Sequence, residues 1–250
     1  RRKSGPCPAA DAARAKLNPM RGAFLDRLTW KEAAEMLAAG WPVVVPVGAA
    51  SKAHGPHLPL GTDRISVEAI AARLAERERV LIAPNLGFGF YPAFVDFPGS
   101  QHLAAATFQA LVVESIESFI RHGARRILLL NNGVSTEAPL RRAAADIQQR
   151  HGVTVGIADL PRLGRSLDAQ WTAKLGGHAD ERETSLMMAV APDQVRNDRL
   201  PCGADDAAGT TGDTRAATAV KGEKLLAALL DDVAAAMRSL WPETGSMKDV

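Results

Sequence analysis

Apolar positions along the 250-residue chain fall into short β-branched runs, separated by longer stretches with helical spacing. Thr29 precedes WKEAAEMLAAG, which reads as an N-cap, a helical stretch and a terminal Gly40. The run Pro42 to Val47 (PVVVPV) follows and predicts a buried strand. Pro46 within it predicts that the strand ends early or lies near a sheet edge, because proline cannot donate to a ladder. The alternation then repeats. Residues 64–77 read as helix, Val80–Ala83 as strand, 105–122 as helix, Arg126–Leu130 as strand, 137–150 as helix and Val153–Ala158 as strand. An Ala/Leu-rich helix spans about 219–240. This order predicts an α/β protein with a mostly parallel sheet covered on both faces. It forms one domain over residues 29–250, preceded by an arm at 1–28 rich in Pro, Ala and Arg with at most one helical turn. Gly and Asp dominate 203–213, which reads as a mobile loop.

Composition narrows the function classes. Apolar residues make up 46% of the chain, enough for a sizeable core. Thirty basic and 28 acidic residues leave a net charge of +2, which gives no reason to expect nucleic acid or an acidic membrane as partner. Aromatics at 5% also argue against a base-stacking surface. No apolar run approaches the roughly 20 residues of a membrane helix. Cys7 and Cys202 read as two unrelated thiols, or as one disulfide if the protein is exported. The sequence opens on Arg1, so the compartment stays open between the cytoplasm and export with the signal removed.

The chemistry concentrates in Gly48–Asp63, GAASKAHGPHLPLGTD. This segment follows the first predicted strand, and parallel sheets place their sites at strand carboxyl ends. It holds His54, His57 and Asp63, an imidazole and carboxylate set that suits zinc, iron or manganese. Its Gly and Pro residues favour a shaped loop from which side chains can converge. Two histidines in a loop are also commonly surface or capping groups, so this pattern alone leaves metal binding open.

His-Gly-Pro-His-Leu-Pro-Leu followed by Thr-Asp resembles the signature loop of the creatininase family. RHGARRILLLNNG (121–133) resembles that family's helix end and strand leading to an Asn-Gly loop. GGHADERETSLMM (176–188) resembles its Gly-His-Ala-Gly…Glu-Thr-Ser helix start, and NLGFGFYPAFVDFPGS (85–100) its substrate-side loop. The matches run in family order over roughly 29–190. The resemblance implies a three-layer α/β sandwich with a binuclear metal site that hydrolyses amide-like C–N bonds, usually assembled as a symmetric hexamer. By position, it makes His54 a ligand of the second metal, Asp63 the bridging carboxylate and His178 a proton-transfer histidine. It makes Glu183 the acidic residue of the Glu-Thr-Ser element, able to face the metals.

Two positions depart from the family. Its first-metal glutamate lies where this chain has Lys52, and its loop histidine lies where this chain has Val134. An ammonium cannot ligate and repels a divalent ion. The expectation is one ion per chain, zinc first with manganese or iron as alternatives, held by His54, Asp63 and Glu183. Lys52 then supplies the charge of the missing ion, and Lys52 and His178 are the catalytic candidates. His57 and Glu137 are reserve ligands. His57 also suits a structural hydrogen bond, and Glu137 opens a helix, where a carboxylate is favoured in any case. Asp180 and Glu183 fit a capping box equally well. His122 and His151 end helices, and His102 can line the pocket. Phe88, Phe90, Tyr91 and Phe94 form either a satellite cluster or a wall over the substrate.

Taken with the resemblance, these residues predict a hydrolase of a C–N bond in a small amide, lactam or formamide that acts on a small molecule; the resemblance alone implies a homo-oligomer. Two other readings stay open. One is a binding or scaffold protein on the same fold; the other is a metal-free lyase or cyclase that uses Lys52 and His178.

Overall fold

The computed structural model describes residues 20–172, 177–200 and 209–242. Cys7, Cys202 and most of the Gly/Asp-rich stretch after Pro201 lie outside these residues. Five strands form one parallel sheet: β1 (Ala23–Phe24), β2 (Val43–Val47), β3 (Leu81–Ile82), β4 (Ile127–Asn131) and β5 (Val155–Asp159). Their spatial order is β1-β3-β2-β4-β5. Between and after them run α1 (Trp30–Ala38), α2 (Thr62–Arg77), α3 (Ala105–Arg121), α4 (Glu137–His151), α5 (Glu181–Val190) and α6 (Ala219–Leu240).

The strands are apolar on both faces, as a covered parallel sheet requires. Val44, Ile82, Leu128 and Leu130 point to one face and pack with α2, α5 and α6. Val43, Val45, Leu81, Ile127 and Leu129 point to the other and pack with α3 and α4. The result is a three-layer α/β sandwich. Helix α1 starts as its sequence predicts: Thr29 accepts from the Glu32 amide, and Glu32 accepts from the Thr29 amide, closing a capping box.

Two expectations change. Ala23–Phe24, placed in the arm by the sequence pattern, pairs with β3 and forms the outer strand. Pro46 lies in the middle strand of the sheet, not at an edge. The reason is local. In a parallel ladder the N and O of one residue face the same neighbour, and Pro46 O accepts from Leu86 N on the β3 side. Strand β3 has ended by then, at Ile82 paired with Val44. No ladder bond needs the N–H that proline lacks.

The strand ends place the site. Gly48 leaves β2 where a Cβ would stand 2.6 Å from Asp63 O and 2.7 Å from Val67 Cγ1. Only glycine lets the strand end approach the first turn of α2 so closely. The loop 49–61 is then stitched to the following long loop by Ala50 N to Gly87 O (2.8 Å), Gln101 N to Ser51 O (2.8 Å) and Ala53 N to Ser100 Oγ (3.0 Å). Among the described residues, no helix is long and apolar enough to cross a membrane.

Candidate functional site

Five side chains, Lys52, His54, Asp63, His178 and Glu183, meet above the carboxyl end of β2. Asp63 sits in the first turn of α2, where the helix dipole favours its negative charge. It is 1% exposed. Lys52 Nζ lies 2.6 Å from its Oδ2, and His54 Nε2 lies 2.9 Å from its Oδ1. Lys52 is itself buried, and its ammonium stands 5.4 Å from the Tyr91 ring centroid and 5.2 Å from that of Phe94. These rings and the carboxylate offset the cost of burying the charge. Burial alone would raise the Asp63 carboxyl, but the Lys52 ammonium and then His54 hold it well below the usual carboxylate range. Asn132, at the end of β4, anchors the same turn by donating to Asp63 O (3.1 Å) and Ser66 Oγ (2.8 Å).

His54 is fully buried, and both its nitrogens face oxygens: Nδ1 lies 2.8 Å from Lys52 O, Nε2 against Asp63. Nδ1–H donates to the carbonyl. Nε2 beside a carboxylate then needs a cation between them, either a proton or a metal ion. His178 lies behind this pair, its ring centroid 4.6 Å from that of His54. Its Nε2–H donates to Ala53 O at 2.7 Å, which turns the Nδ1 lone pair toward Glu183 Oε2, 3.8 Å away. Burial, reinforced by the charges of His54 and Lys52, lowers its pKa to about 3, so the ring is neutral near pH 7. Phe94 covers His178 at 4.3 Å between ring centroids.

Glu183 reaches the site from the first turn of α5. Desolvation pushes its carboxyl up. Asp180 caps α5, accepting from the Arg182 and Glu183 amides. Glu183 Oε2 accepts from the Ala179 amide at 2.6 Å, one residue before the cap. Ala179 is left-handed (φ 52°), and this bond helps hold it there. Glu183 therefore combines a local backbone bond with a place in the site. His178 is fixed further by its backbone pairing with Thr211.

One ligand atom each from His54, His178 and Glu183 lie within 4.8 Å of one another, which suits a single ion. On the other side of Asp63, Lys52 Nζ lies against Oδ2. Val134 brings no ligand atom; it is 70% exposed and lines a cavity of about 530 Å³ together with Asn132, Glu137, Asp159, Arg162 and Glu183. The reserve ligands lie elsewhere. Glu137 pairs with Arg141 (3.0 Å) and Arg162 (2.6 Å), and His57 with Thr184 (2.8 Å). His102 Nδ1 accepts from the Tyr91 amide, His122 caps α3, and His151 pairs with Glu117. The sequence reading missed Asn132 and Thr184. The Asn-Asn-Gly at the end of β4 was a signal for the first; nothing local marked the second.

Comparison with known proteins places the chain among characterised relatives. A family model described as creatinine amidohydrolase (Creatininase) matches residues 26–237. The chain is 30% identical over 262 residues to the creatinine amidohydrolase of Pseudomonas putida, covering 90% of this chain and 99% of that protein. It is 27% identical over 233 residues to the mycofactocin precursor peptide peptidase of Mycolicibacterium smegmatis, covering 82% and 87%. A solved manganese creatininase superposes with a TM-score of 0.74 at 27% identity, covering 88% of this chain and 98% of that one.

Proposed function

Because this chain belongs to the creatininase family, we propose that it hydrolyses a C–N bond in a small amide, lactam or formamide, with one divalent ion per chain. The observation that carries this reading is the Lys52–Asp63 pair at 2.6 Å, an ammonium where a second ion would need the carboxylate oxygen. The proposed ligands are His54, Asp63 and Glu183, with zinc or manganese as the ion. When bound, a divalent ion supplies the charge that polarises a carbonyl and acidifies water.

The chain's own residues do the rest. Lys52 places a fixed positive charge beside Asp63 and orients a carbonyl or carboxylate of the substrate. His178 Nδ1 accepts a proton from the attacking water. The same nitrogen then passes that proton to the leaving nitrogen as the C–N bond breaks. Phe94 over His178 excludes water from this path. The cavity beyond Glu183 receives the remainder of the substrate. The relatives named above, an amidohydrolase and a peptidase, both cleave C–N bonds. On the family resemblance the chain assembles as a homo-oligomer, six copies in the usual form.

A second arrangement has one observation in its favour: His178 belongs to the trio of convergent ligand atoms, and Asp63 does not. In that arrangement His178 is a ligand and Asp63 serves to hold Lys52.

Lys52→Ala tests the proposal. Losing one charge-assisted contact in the transition state costs about 2–4 kcal/mol, or about 30- to 1,000-fold in turnover of a panel of creatinine, lactams and N-formyl compounds. Breaking a buried pair can cost about 3–5 kcal/mol of stability. The loss here should fall below that range, because His54 still holds Asp63 Oδ1. A variant that melts earlier but turns over within about threefold of the unmodified protein would rule out a catalytic role for the ammonium.

A further inference from the structure

His57 takes no part in the reaction above, on whose ligands His54 and Glu183 the following inference rests. Its imidazole is fully buried, and so is Thr184, whose Oγ1 lies 2.8 Å from Nε2. Its Nδ1 has no hydrogen-bond partner. A neutral ring carries one N–H. With that proton on Nε2, the ring donates to Thr184 and leaves only an acceptor lone pair orphaned at Nδ1. With the proton on Nδ1, a buried donor would be orphaned, which native structures rarely tolerate. The tautomer is therefore the one that donates to Thr184.

An aliphatic side chain would fill the same space without an unsatisfied nitrogen. What the imidazole adds is a bond between segments 127 residues apart in sequence. It links the loop that carries Lys52 and His54 to the turn of α5 that carries Glu183, one residue before Thr184. Two other bonds run beside it, His178 Nε2 to Ala53 O (2.7 Å) and Arg196 N to His57 O (2.8 Å). Leu58 shares an apolar cluster with Met187 of α5, and His57 adds the directed hydrogen bond from the loop to that helix.

We infer that His57 is a positioning residue: through Thr184 it fixes the separation of His54 from Glu183 and thereby the affinity of the site for its ion. Groups that orient metal ligands typically change affinity about 10- to 100-fold when removed. The test uses zinc competition with a chromophoric chelator on the full chain. His57→Leu removes the donor, Thr184→Val removes the acceptor at nearly constant shape, and His57→Gln keeps an N–H that can reach Thr184. Zinc affinity should fall about 10- to 100-fold in each of the first two, no further in the double variant, and recover in His57→Gln. If His57→Leu fails to fold, Thr184→Val carries the test alone. Affinity within about twofold of the unmodified chain, even with a lower melting temperature, would reduce His57 to packing and overturn the inference. If the unmodified chain binds no zinc, the ligand reading fails instead. Hydrogen exchange of the ion-free protein then decides: Thr184→Val should speed exchange in 52–61 and 178–184 together, and unchanged exchange there overturns the coupling.

Discussion

His54→Ala protein should leave purification without its ion and with turnover reduced by at least about 10³-fold. The magnitude follows from the several kcal/mol of transition-state charge stabilisation that a bound ion contributes, where about 4 kcal/mol corresponds to 10³. His54 is the natural place to look, because its Nδ1 is committed to Lys52 O and its Nε2 is directed at Asp63. The ring lies on a loop and not in either apolar layer, so the sandwich should persist in the variant. Thermal melting separates loss of the ion from loss of the fold. Added zinc should raise the melting temperature of the unmodified chain, since a ligand that binds only the folded state stabilises it, and should leave that of His54→Ala unchanged. Equal zinc-induced shifts in both proteins would move the ligand set elsewhere.

His178→Ala carries the second large effect. Removing a positioned proton carrier costs typically about 10²- to 10⁴-fold. The His178 ring is held on three sides, by Ala53 O, by Phe94 and by the His54 ring, so alanine leaves a defined gap. Measuring ion content with turnover distinguishes the two arrangements of the site. Turnover lost with the ion retained assigns His178 to proton transfer. Turnover and ion lost together assign it to the ligands, alongside His54 and Glu183. A variant that keeps both, with turnover within about tenfold of the unmodified chain, contradicts either role.

The legible part of this protein was its layering. Alternating β-branched runs and helical stretches gave the parallel sheet, and Thr29 marked the start of α1 to the residue. Ala23–Phe24 was not legible, because two residues carry no period and the strand exists only through its pairing with β3. Pro46 misled for a physical reason: the rule that excludes proline from inner strands assumes a ladder on both sides, and β3 stops short. Within the site, the His54–Asp63 loop stood out by residue type and by resemblance. The Lys52–Asp63 contact was an expectation drawn from a departure at one ligand position, and the two groups lie 2.6 Å apart. The turn before α5 was only half legible. Asp180 caps the helix as its spacing suggests, but Glu183 bonds to the amide of left-handed Ala179, a conformation that no residue type there announces. The His57–Thr184 bond joins residues brought together only by the completed fold.

An ammonium at the position of the family's first ion should limit the chain to one ion, a number that elemental analysis reads. Elemental analysis should be run on the chain purified without chelator and on the double variant Lys52→Glu with Val134→His, which restores the carboxylate and imidazole at the two departing positions. About one divalent ion per chain is expected in the unmodified protein and about two in the double variant. Two ions per chain in the unmodified protein, or no gain in the double variant, would contradict that expectation.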